Sequence, residues 1–161
     1  MSDTLNTAEQ ICQSIQASAS FYVNDLKALK EGSYNAPYSE NVRSVQQLTA
    51  EVINFNTMTI ECLNGRTANW EELDQAGVEA SVDTVEKAIA ALNASVSKVC
   101  EAVQQNSASL QEVCPAAWGS AASKFIQANV VASHLWYHDG QICFIQQLQG
   151  DKEFHWFDGQ G

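Results

Sequence analysis

The sequence predicts an all-α fold, a four-helix bundle with one long crossover connection. Three observations predict it. Four segments repeat apolar residues at helical spacing, no segment shows convincing strand alternation, and the link between the second and third helices is too long for a tight turn. All 161 residues are read as one domain, with an aromatic tail at residues 151–161.

The first helix is expected over residues 7–30. Ile11, Ile15, Tyr22, Leu26 and Leu29 recur at helical spacing, and Thr7 followed by Gln10 resembles a capping box. Glu31 and Gly32 stop it, and Pro37 marks residues 33–41 as a loop. The second helix begins near Ser44, where Gln47 completes another capping box, and ends at Asn64 and Gly65. Val45, Leu48, Val52, Phe55 and Leu63 carry its apolar side. Residues 66–80 follow as a crossover holding Trp70 and several acids, so the next helix need not be antiparallel to the second.

In the third helix Val82, Val85, Ile89, Leu92, Val96, Val99 and Val103 alternate steps of three and four, a packing stripe with no chemical content. Residues 105–118 read as a polar loop broken by Pro115. The fourth helix then runs over residues 120–149 and stops at Gly150. Val131, Leu135, Ile142, Ile145 and Leu148 share one side of it. The tail brings Phe154, His155, Trp156 and Phe157 close together, which predicts a segment folded back on the bundle or on a second subunit.

Charge and cysteine usage narrow the function. The net charge is -11, and eight Lys and Arg are scattered along the chain. A surface that tracks phosphates needs clustered cations, so nucleic-acid binding and an anionic membrane surface are both excluded as expectations. Residues 1–6 have neither a basic nor an apolar leader segment, and no stretch reaches the ~20 apolar residues of a membrane span. Cys12, Cys62, Cys100, Cys114 and Cys143 are odd in number and form no CxxC, which suits buried thiols in a reducing cytoplasm.

Chemistry concentrates in the fourth helix. His134 and His138 stand four residues apart in the sector of Val131 and Leu135, so both imidazoles point inward and can reach one ion. The other possibility is a pair of core histidines satisfied by neighbouring hydroxyls or amides. Glu51 aligns with Phe55, Met58 and Cys62 on the second helix. A carboxylate beside Phe and Met needs a cation or a proton, unless it snorkels out from the helix edge. The third ligand is Glu51 or His155, and Glu51 is favoured because a helix holds a ligand more rigidly than a tail does. Two imidazoles and a carboxylate suit Zn, Ni, Fe or Mn alike. The zincin motif is absent, since Leu135 occupies its glutamate position.

Asn129, His134, His138, Gly140 and Gln141, with Leu148 and Gly150, resemble the last-helix signature of the DinB/YfiT-like family. The run Arg43-Ser44-Val45-Gln46-Gln47-Leu48, then Ala50-Glu51-Val52 and Asn56, is similar to that family's second helix. The specific motifs cover about thirty residues, while the order of elements matches throughout.

The resemblance implies a divalent metal held by three histidines, a homodimer and, in characterised relatives, transferases or isomerases with a low-molecular-weight thiol as cosubstrate. Here the second-helix histidine is replaced by Glu51, which implies a His₂Glu site of lower Lewis acidity or loss of the metal. Two functions follow. One is a metal-dependent transferase or hydrolase acting on a small electrophile, with Gln141 as an outer-shell hydrogen-bond partner or a helix-packing amide. The alternative is a non-catalytic bundle acting by self-association or partner binding. An iron oxygenase with the same ligands is a third idea, without a marked cosubstrate site.

Overall fold

The computed structural model describes residues 6–159; the leader reading at the amino terminus and the last two tail residues fall partly or wholly outside them. Helix α1 spans Thr7–Ala28 and α2 spans Val45–Leu63. A short α3, Gln75–Ser81, precedes α4 at Val85–Gln105, and α5 spans Lys124–Leu148. The four long helices form the expected bundle. α1 packs on α4 and α5, and α2 packs on the same two, so α5 lies between α1 and α2 with a different neighbour on each side. No helix among the described residues is long and apolar enough to cross a membrane.

Local chemistry sets the helix ends. The box at α2 forms as predicted: Ser44 accepts from the Gln47 backbone and Gln47 accepts from the Ser44 backbone. At α1 the box is one residue earlier than expected. Asn6 and Glu9 form it, because Asn is as good an N-cap as Thr and its partner is an acid at the positive helix end. Gly65, at φ 78°, takes the left-handed turn that releases the chain from α2.

Two segments differ from expectation. The crossover is not bare loop, since it contains a 3₁₀ turn at Trp70–Glu72 and helix α3, whose N-cap Asp74 accepts from the Gly77 amide. Seven residues are too few to display a helical period. Val82 therefore closes α3 rather than opening α4, although its side chain is buried in the same core. The loop before α5 contains an antiparallel hairpin, β1 at Val113–Pro115 and β2 at Ala121–Ser123. Three-residue strands rich in Ala and Pro carry no alternation to read. The hairpin delays α5 until Lys124, with Ser123 as its cap.

Val131, Leu135, Ile142 and Ile145 are buried as expected, but Leu148 is 63% exposed because the last turn of α5 is no longer covered. The tail folds back on its own chain. Trp156 stacks on Phe21 of α1 at 4.9 Å and meets Trp136 of α5 edge-on at 4.7 Å. The Asn24 side chain donates to the Trp156 carbonyl at 2.9 Å, which fixes the tail on the α1 side of α5.

Candidate metal centre

The capping box at Ser44 sets the start of α2, and two turns later Glu51 emerges opposite α5. There its Oε1 lies 3.4 Å from His138 Nε2 and 3.7 Å from His134 Nε2, and the two Nε2 atoms are 3.1 Å apart. The fold thus brings together Glu51, His134 and His138, one turn apart on α5 and facing α2. His138 is fully buried. His134 is partly buried, its side chain 16% exposed, and its ring stacks on Phe55 at 4.2 Å.

Electrostatics keep both imidazoles neutral. Burial pushes His134 down to about 3, helped by His138 and by the Arg43 guanidinium. Burial likewise lowers His138 to about 4, against the opposing hydrogen bond from Gln141. That bond joins Gln141 Oε1 to His138 Nδ1 at 2.8 Å. An amide oxygen only accepts, so the proton of neutral His138 sits on Nδ1 and the lone pair on Nε2 faces Glu51. Gln141 is therefore a hydrogen-bond partner of His138.

His155 is not brought to this cluster. The aromatic packing of the tail carries it to α1, where Nδ1 pairs with Asp158 at 2.7 Å and Nε2 with Asp151 at 3.1 Å. Both ring nitrogens are engaged, and the flanking carboxylates, Asp158 first, raise its pKa. Tyr137 and Trp136 turn away from the Glu51 side, as their helical positions predict. Trp136 donates to Ser18 of α1, and Tyr137 is exposed.

Arg43 is the participant that sequence reasoning missed. Its guanidinium forms an ion pair with Glu51 Oε2, the oxygen turned away from the histidines. Eight residues separate the two, and Arg43 precedes the helix cap, so no helical spacing rule links them. Beside this pair lies an open cavity of about 410 Å³ lined by Arg43, Gln47, Glu51, Trp70, Gln75 and Glu79. Its outer wall is the crossover, held to α2 by Asn54 to Gln75 at 2.5 Å and Gln46 to the Glu79 carbonyl at 2.8 Å.

The donor set fits a divalent ion. A tetrahedral site with bonds of ~2.0–2.1 Å has ligand-to-ligand edges of roughly 3.3–3.4 Å. The observed edges of 3.1, 3.4 and 3.7 Å bracket that value without repacking of either helix. Two neutral nitrogens and one anionic oxygen supply three donors, one fewer than a closed tetrahedral site takes. Arg43 on the second carboxylate oxygen and Gln141 on His138 Nδ1 are the outer-shell contacts such ligands use.

No curated protein matches the chain. A family profile described as the DinB superfamily matches residues 22–142, which include Glu51, His134, His138 and Gln141. With three quarters of its length matched and a bundle of the expected architecture, the chain belongs to the DinB superfamily.

Proposed function

We propose that this protein binds one divalent metal through Glu51, His134 and His138 and is a thiol-dependent transferase, or a related hydrolase, acting on a small electrophile. The convergence of the three donor atoms on α2 and α5 carries the reading. An ion bound there supplies Lewis acidity and lowers the pKa of a coordinated thiol or water.

The chain's own residues do the rest. Gln141 holds the proton on the outer nitrogen of His138, and Phe55 fixes the plane of the His134 ring. Arg43 anchors Glu51 through one oxygen and leaves the other free for the histidine side. The neighbouring cavity is of the size that small ligands occupy, ~300–1,000 Å³, and Trp70 gives it one apolar wall. Five unpaired cysteines support a reducing compartment, the cytoplasm. Family resemblance supports a homodimer, which sedimentation at two concentrations tests.

One observation favours a second reading. Arg43 already supplies Glu51 with a counter-charge, so the carboxylate is stable beside the histidines without an ion. On that reading the bundle has lost its chemistry and works through partners.

The test compares chelated and metal-reconstituted protein for conjugation of low-molecular-weight thiols to a chromogenic electrophile. The enzyme reading expects turnover that vanishes on chelation and in the His134→Ala, His138→Ala double variant. Turnover indifferent to chelator sinks it. A metal-loaded protein inert with every thiol favours the non-catalytic bundle.

A further inference from the structure

On the opposite side of α5 a second cluster faces α1. It contains Asp25 of α1 with Asp139 and Cys143 of α5, one ligand atom from each lying within 4.8 Å of the others. We propose that these three residues form a second cation site, selective for a borderline divalent metal that accepts a thiolate, such as zinc, cobalt or ferrous iron. It is separate from the histidine cluster and independent of the function proposed for it.

Burial is the first argument. Asp25 is 1% exposed and Asp139 is 2% exposed, and no ion pair reaches either carboxylate among the described residues. Carboxyl groups removed from water without a cation are costly, and a metal is the usual alternative to a basic side chain. Unmet hydrogen-bonding capacity is the second, independent argument. Asp139 Oδ1 is buried without a hydrogen bond of ordinary geometry, and so is the indole nitrogen of Trp156; the Asp25 carboxyl and the Trp156 indole both face Asp139, and the indole also faces Cys143. A cation taken by one carboxylate oxygen would leave the other for the indole N–H, which satisfies both groups.

The donor types decide the metal class. The Cys143 thiol donates to Asp25 Oδ2 at 3.3 Å, close to the ~3.6 Å edge expected between sulfur and oxygen on a tetrahedral ion with ~2.3 and ~2.1 Å bonds. A thiolate disfavours Mg and Ca, which prefer all-oxygen sites. Binding displaces the thiol proton, and any proton held between the two carboxyls, to solvent. Sequence alone hid the site, because Asp25 and Cys143 are 118 residues apart and no CxxC or HxxxH spacing marks it.

The test is cobalt titration of the full chain under a non-coordinating reductant, read by the near-ultraviolet charge transfer of a thiolate–cobalt bond. The proposal expects this band in the wild type and in the His134→Ala, His138→Ala double variant. It expects loss of the band in Cys143→Ser, with any cobalt absorption from the histidine site unchanged. Asp25→Asn, a near-isosteric variant, should lose the band as well, and it decides the matter if Cys143→Ser does not fold. A band intact with only about one equivalent of cobalt bound supports the proposal even if the histidine cluster is empty. A wild type without the band at saturating cobalt, or a band undiminished in Cys143→Ser and Asp25→Asn, overturns it; the carboxyls would then hold a proton only.

Discussion

On the side of α5 that faces α2, two neutral imidazoles meet a carboxylate that already has a cation in Arg43. On the side that faces α1, two carboxylates and a thiol meet none. The helix is the same and His138 and Asp139 are adjacent, yet burial acts on the two sides with opposite sign. It disfavours the charged form of each group, so it drives protons off the histidines and onto Asp139. His134 and His138 are held down to about 3 and 4. Asp139 is held well above the carboxylate range by burial and by Asp25, and burial with Asp25 pushes the Cys143 thiol up to about 12. One side is neutral and needs only a change of His134 tautomer to receive an ion; the other must give up protons to receive one.

That contrast can be broken at its strongest point first. In chelated protein, Asp139 binds a proton in the folded state at pH values where the unfolded chain has lost it. It therefore reduces stability as pH rises from the carboxylate range through neutrality. Asp139→Asn is expected to raise the unfolding free energy at pH 8 by on the order of 2 kcal/mol, and far less at pH 5. Chemical denaturation at the two pH values checks it; equal effects at both would remove the electrostatic difference between the sides.

The histidines give the opposite slope. Their folded pKa values lie below the unfolded value of ~6.5, so the unfolded chain binds more protons and stability falls as pH drops from about 6.5 toward 4. Relative to wild type, His138→Gln should recover on the order of 1–2 kcal/mol at pH 4.5 and little at pH 7.5. Calorimetric scans of both proteins across that range measure it. Gln141→Ala, which frees the outer nitrogen of His138, should weaken metal binding roughly 10-fold, about 1.4 kcal/mol, by equilibrium dialysis. Smallest is Arg43→Gln. Removing a half-exposed cation should raise the histidine titration midpoints by about half a pH unit or less, followed by proton NMR.

The two sides also differ in how far the sequence revealed them. His134 and His138 share a helical face at a spacing that brings ligands together, and Ser44 with Gln47 fixes the register of Glu51, so that side could be assembled from periodicity. Arg43 could not, because it reaches Glu51 from outside the helix. The Asp25, Asp139 and Cys143 cluster could not either, since it depends on α1 and α5 packing in register across 118 residues. In the fold, long amphipathic runs were legible. Helix α3 and the β1–β2 hairpin were not, being too short for a period to emerge above local composition. The tail was legible as an aromatic segment needing a partner, but its destination on Phe21 and Trp136 is a matter of shape.

The central claim, that Glu51 joins His134 and His138 in holding a metal, is tested most directly by elemental analysis of untagged protein beside a Glu51→Ala variant. After incubation with Zn, Ni and Mn and removal of free ion, the account predicts that the wild type holds about one equivalent more than Glu51→Ala, and that Cys143→Ser keeps that equivalent. No metal in the wild type, or the same content after Glu51→Ala, would contradict it.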